Sequence, residues 1–144
     1  MTGIRWAAAV ASVLALAAPA AVAHADDLYQ FQSPSGNIAC VMAALSGTTP
    51  QVACEIVERT WNPPAKPATC DGDWGDRITL QQGATPALTC HTDTTRGLGL
   101  PALAYGTTHT LAGLTCASEE AGITCTDSTT GHYFSLSRDA YELH

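Results

Sequence analysis

Beyond residue 25, apolar and polar positions alternate in short runs that turn residues interrupt. Ile38, Cys40 and Met42 fall two apart, as do Val52, Cys54 and Ile56. A period of two places such residues on one face of a strand, here toward a core, and sends Ala53 and Glu55 outward. The same alternation predicts strands over 28–31, 77–81, 87–92, 109–116, 123–127 and 133–137, the last with Phe134 and Leu136 inward. Ser33-Pro34-Ser35-Gly36-Asn37, Ser46-Gly47-Thr48-Thr49-Pro50 and Glu119-Glu120-Ala121-Gly122 supply turn chemistry between them, and residues 70–75 supply another turn. Pro63, Pro64 and Pro67 remove three backbone donors, so 61–67 reads as an extended surface connector with Trp61 partly exposed. Residues 94–104 are glycine-rich and irregular, with one short helical turn expected near Pro101. No stretch sustains a helical period with caps. The elements add up to a mainly β fold, a small disulfide-stapled antiparallel β-sandwich or open barrel built of hairpins.

The first 25 residues follow a different pattern. Arg5 precedes an apolar run from Trp6 to Ala18, Pro19 ends it, and Ala23-His24-Ala25 places small residues where a signal peptidase reads. Residues 1–25 are therefore expected to be a secretory signal peptide cleaved after Ala25, leaving 26–144 as one secreted domain with no membrane anchor. This division changes the meaning of the composition. The whole chain is 46 % apolar, but 19 of those residues lie in the leader, so the remainder is only about 40 % apolar, just below the ordinary range. The remainder keeps all 13 acidic residues and five of the six basic ones, a net charge of −8 that disfavours nucleic acid and anionic lipid as partners.

A domain this small with a modest apolar share gains from covalent staples. All six cysteines (40, 54, 70, 90, 116 and 125) lie beyond the leader, and an even count in an exported chain reads as three disulfides. The tightest spacing is nine residues, which opposes a metal site, and no cofactor is expected. Six cysteines allow 15 pairings. Five of them follow an aliphatic residue by two positions, which points them inward on strands and favours the short-range pairs Cys40–Cys54, Cys70–Cys90 and Cys116–Cys125.

Catalytic chemistry has little local support. Gly97-Leu98-Gly99-Leu100-Pro101-Ala102 fits a loose dinucleotide pattern, but no buried strand precedes it and Pro101 sits inside it. Histidines 91, 109 and 132 are available to a hydrolase, and no motif selects among them. His132, beside Gly131, is the first candidate for a catalytic role and His91 the second; Trp61, His132 and Tyr133 are the candidates for binding.

Three segments together carry a resemblance: Phe31-Gln32-Ser33-Pro34-Ser35-Gly36-Asn37-Ile38-Ala39-Cys40, Cys70-Asp71-Gly72-Asp73-Trp74-Gly75, and Gly122-Ile123-Thr124-Cys125 followed by Gly131-His132-Tyr133-Phe134-Ser135-Leu136-Ser137-Arg138. They resemble a family of small secreted actinobacterial proteins, of mycobacterial type, that carry a domain of unknown function. Tyr133 stands where that family more often has glycine. The resemblance implies secretion and paired cysteines, and transfers no catalytic residue.

The functional expectation is a secreted or envelope-associated module, non-catalytic, that binds a protein or cell-wall partner. Two alternatives stand beside it. One is a small extracellular hydrolase using His132 or His91. The other is a secreted inhibitor or toxin-like protein presenting the loop 62–66.

Overall fold

The computed structural model describes Gly3 and residues 26–144; the expected signal peptide, Gly3 apart, lies outside the described residues. Among the described residues ten strands form two antiparallel sheets, and the sheets face each other without closing into a barrel. The first sheet has the order β1 (Asp27–Gln32), β2 (Ile38–Ala44), β3 (Gln51–Ile56), β4 (Arg77–Gln81), β5 (Ala87–Leu88). The second has β10 (Tyr141–Leu143), β9 (Tyr133–Ser137), β8 (Gly122–Asp127), β7 (Leu114–Glu119), β6 (Thr107–Leu111). Each strand pairs with its neighbour in sequence, so both sheets are meanders and the expected hairpin-built sandwich is what forms.

The register follows from the alternation. Cys40 lies opposite Cys54, Met42 opposite Val52 and Ile38 opposite Ile56, which places all six on the inner face of the first sheet. Cys116 opposite Cys125 does the same in the second sheet, with Phe134 beside Cys125. Phe31, Met42, Ile78, Leu80, Leu114, Ile123, Phe134 and Leu136 fill one shared core, and the two cross-strand disulfides, Cys40–Cys54 and Cys116–Cys125, lie within it. The third disulfide, Cys70–Cys90, lies outside that core and ties the connector 57–76 to the chain leaving β5. At one side of the sandwich the sheets meet edge to edge, where the Tyr29 ring stacks on His109 at 3.4 Å between centroids.

Three expectations need correction, and one strand forms that the alternation does not mark. The run 109–116 is two strands, because Ala112 and Gly113 both adopt positive φ (49° and 85°), the conformation of a two-residue hairpin turn whose twist suits the flanking strands. The strand expected over 87–92 is only Ala87–Leu88: after Thr89 bonds back to Arg77, the disulfide at Cys90 and the pairing of His91 with Asp73 draw the chain off the sheet. The helical turn near Pro101 is absent, since Pro101 O and Leu103 N–H are spent on the backbone of Gln32, which keeps this segment extended against the end of β1. Finally, β10 forms although its short sequence gives no alternating signal; it is held by pairing with β9 and by the Tyr133–His144 backbone bonds beyond its end.

Candidate functional site

The alternation sends Glu55 outward from β3, and so it points, yet it is fully buried. The segment 91–96 runs over this part of the sheet and covers it. Glu55 Oε1 accepts hydrogen bonds from Arg77 Nε at 3.0 Å, from Arg77 Nη2 and from the Thr95 backbone N–H at 3.1 Å. Oε2 accepts from Thr94 Oγ1 at 2.6 Å and Arg96 Nε at 3.1 Å. Burial alone drives the Glu55 carboxyl up; the bonds from Thr94, Arg77 and Thr95 and the Arg77 charge outweigh it and hold the group below its ordinary 4.5. The site is therefore an ionised carboxylate with its acceptor positions filled.

The same cluster continues outward. Arg77 Nη1 reaches Asp93 Oδ1 at 2.9 Å, and Arg96 Nη2 reaches Asp76 Oδ2 at 3.2 Å. Asp76 Oδ1 lies 2.8 Å from His91 Nε2, while His91 Nδ1 lies 2.6 Å from the Asp93 carbonyl oxygen. His91 is buried, and burial pushes its pKa down, but the bonds to Asp76 and to the Asp93 carbonyl raise it above the ordinary 6.5. The loop 70–75 backs onto this residue: Asp73 N–H donates to His91 O at 2.7 Å, and a Cβ on Gly72 would fall 2.2 Å from that same oxygen, so only glycine fits there.

A third buried carboxylate joins the two sheets. Asp127, at the end of β8, accepts from the Gly83 N–H of the β4–β5 turn at 2.7 Å and from Thr129 N, Thr129 Oγ1 and Thr130 Oγ1 of its own loop. Burial raises its pKa; the Gly83 and Thr129 bonds and that of Thr130 together pull it down to about 2.

A cleft lies at the other end of the sandwich from Asp127. The Ser33–Asn37 turn, the start of the β3–β4 connector and the β7–β8 turn enclose a cleft of about 430 Å³, with Asn37, Val57, Glu58, Tyr105, Glu120 and Arg138 on its walls. The wall between turn and connector is built by Asn37, whose amide donates to Glu58 O at 3.0 Å and accepts from Glu58 N–H at 2.7 Å. Ser33 Oγ takes the Ile38 N–H at 3.1 Å, and Gly36 supplies the positive φ (74°) the turn requires. Arg138 pairs with Glu58 at 3.2 Å, and among the described residues no cation pairs with Glu119 or Glu120. A shallower hollow continues past Arg138 to Trp61.

The residues singled out from the sequence do not converge. Trp61 packs on Tyr141 at 4.5 Å, donates Nε1–H to Ser137 O at 2.9 Å and carries the Arg59 guanidinium over its ring at 4.9 Å. His132 and Tyr133 stand at the opposite end of β9, where Tyr133 stacks on His144 at 4.6 Å. The His132 imidazole has no hydrogen-bond partner among the described residues, although its backbone N–H bonds to Thr130 Oγ1 at 3.1 Å. His91 does meet an aspartate, but both of its ring nitrogens are engaged and none is left for a nucleophile. No group of three or more His, Cys, Asp or Glu able to hold a metal occurs among the described residues. The Asn62–Lys66 loop is exposed apart from the half-buried Pro63, and it is pinned by Trp74 Nε1–H donating to Pro64 O at 2.9 Å.

Sequence reasoning missed Glu55, Asp76, Asp127 and the two arginines. Asp127 had a signal, Asp-Ser-Thr-Thr after a strand being Asx-turn chemistry. Glu55 had none, since its partners lie 22 to 41 residues away. The cleft had a partial one, because the Ser-Pro-Ser-Gly-Asn turn and the Gly122 and Arg138 segments that carry the resemblance are among its walls. No curated protein and no solved structure shows a significant match to the chain. A family model does match, over residues 9–144, and so the chain that folds into this stapled pair of meanders belongs to DUF6636, a family of unknown function.

Proposed function

We propose that residues 26–144 form an exported, non-catalytic module that binds a protein or cell-wall partner at the cleft between the Ser33–Asn37 turn and the β7–β8 turn. One observation carries the reading. The buried ionisable groups Glu55, Asp76, His91 and Asp127 are bonded to backbone and to one another as fasteners. The cleft, by contrast, presents Tyr105, Val57 and unpaired carboxylates to solvent from elements that strand pairing and the Asn37 bonds hold in place. Rigid walls with exposed aromatic and apolar side chains reduce the ordering cost of binding. Three disulfides in a domain of this size suit an oxidising compartment, in keeping with the signal-peptide pattern of residues 1–25.

The test is affinity capture from cell-wall and culture fractions with the oxidised protein, run beside Tyr105→Ala and Glu120→Lys. The expected result is a partner retained by the parent protein and lost with both variants. Equal retention by parent and variants, or no retained partner, overturns the assignment. The pinned, exposed loop 62–66 is the observation behind the inhibitor-like alternative, and its deletion with target binding intact removes that reading.

A further inference from the structure

Six ionisable groups meet over the outer face of the first sheet. Glu55 and Asp76 are buried and pair with Arg77 and Arg96, while the exposed Asp93 carboxylate reaches Arg77 from the solvent side. His91 sits among them. Its exposure is 5 %, and each ring nitrogen faces an acceptor: a carboxylate oxygen of Asp76 at 2.8 Å and the Asp93 carbonyl oxygen at 2.6 Å. A neutral imidazole has one N–H and one lone pair. It can satisfy one of these acceptors and must turn its lone pair on the other. An imidazolium donates to both.

The position of His91 gives this proton a mechanical consequence. Residues 91–96 are the strap over Glu55. Its near end is fixed by the Cys70–Cys90 disulfide and by the paired bonds between His91 and Asp73. Its far end is held by Thr94, Thr95 and Arg96 on Glu55 and by Thr95 Oγ1 on Ala39 O at 3.4 Å. We propose that 91–96 is a proton-held strap: doubly protonated His91 clamps it over Glu55 and Ala39, and loss of one imidazole proton releases it and uncovers that part of the sheet face. The groups facing His91 from the packed elements are Asp76 and Arg77 at the start of β4, Asp93 and Arg96 on the strap, Glu55 on β3 through the arginines, and the Asp73 backbone on the loop 70–75. The raised pKa of His91 agrees in direction with this geometry.

The sign follows from linkage. A group whose pKa is higher in the closed state favours that state fully below the open-state value and ceases to do so as pH rises through the closed-state value. The strap is therefore closed in mild acid and loosens toward alkaline pH. The experiment is amide hydrogen exchange at Thr95, whose N–H bonds to Glu55, followed by NMR between about pH 5.5 and about pH 8.5, together with the ring-nitrogen shifts of His91. After correction for intrinsic exchange, the opening equilibrium should rise with pH in step with the His91 titration. The rise should approach tenfold for each pH unit separating the closed-state and open-state pKa values. Asp76→Asn should move both the titration and the protection step to lower pH. His91→Gln should hold the strap weakly at every pH, with no step. A single neutral tautomer of His91 at the acid end overturns the proposal. So does Thr95 protection that stays flat through the His91 titration in the unmodified protein, a measurement that needs no variant to fold.

Discussion

The two sheets have the same interior and opposite exteriors. Each carries a disulfide between directly opposed residues on its inner face, with aliphatic neighbours two positions away. On the outside the second sheet shows Thr115, Ala117, Thr124, Thr126 and Ser135, all half-exposed, as a one-sided antiparallel sheet does. The first sheet has a roof: the strap 91–96 turns the outward position Glu55 into a buried one. The comparison teaches that strand alternation assigns a side chain to a face, while the chain that crosses that face decides its solvation. It also shows how a thin core is supplemented. The second sheet relies on its inner face alone, and the first gains a second, ionic layer whose worth depends on every partner being present.

The widest separation between the two exteriors should come from removing a carboxylate. Glu55→Ala leaves two arginines and the Thr95 N–H without their acceptor, and a broken buried pair costs on the order of 3–5 kcal/mol. Thr124→Ala, on the open face of the second sheet, should change stability by less than about 0.5 kcal/mol. Urea unfolding of both variants checks the contrast, and similar losses would erase it.

The interiors, by contrast, should respond alike. Replacing Cys40 and Cys54, or Cys116 and Cys125, by alanine should cost roughly 2–4 kcal/mol in each case. The closures span 14 and 9 residues, so loop entropy separates the two losses by only about 0.4 kcal/mol. Cys90 is exposed whereas these four cysteines are fully buried, so under limited reductant Cys70–Cys90 should open first, as mass mapping of alkylated cysteines will show.

Asp127 joins the sheets, and its removal tests whether they unfold as one unit. Asp127→Asn weakens the bond to Gly83 and those to Thr129 and Thr130, an expected loss of about 1–3 kcal/mol. Its contribution is complete above its ordinary 3.8 and is lost as pH falls through about 2, so the parent protein should lose stability across that acid interval and the variant should lose less. One further change runs the other way. Ser118 Oγ, on the inner face of β7, is the one buried side-chain polar atom without a partner among the described residues. Ser118→Ala should raise stability by about 1 kcal/mol, read as a higher urea midpoint with an unchanged slope.

Most of the sandwich was legible because its determinants are local. Ile38, Cys40 and Met42 against Val52, Cys54 and Ile56 define two inner faces, and the turn between them makes them antiparallel neighbours, so the cysteines meet. Errors gathered where a long-range contact overrode a local pattern. Ala87 to Thr92 reads as a strand until Cys90 is drawn toward Cys70, and Pro101 departs from a turn because β1 offers its edge. The site was less legible. Trp61, His132 and Tyr133 were attractive as residue types, yet β9 holds Trp61 and the other two at opposite ends. The cleft walls near Asn37 come from a recognisable turn, but their partners at Glu58 and Glu120 come from two other segments.

By itself the sequence determined the all-β class, the inward faces and the stapled character of the domain, because alternation, turn residues and cysteine count act over a few neighbouring positions. Only the tertiary structure decided that Glu55 is buried, that His91 is shared between Asp76 and the Asp93 carbonyl, and that Asp127 bridges the sheets. Those outcomes depend on segments 15 to 44 residues apart meeting at hydrogen-bond distance, and charge in a buried site has meaning only once all of its partners are in place.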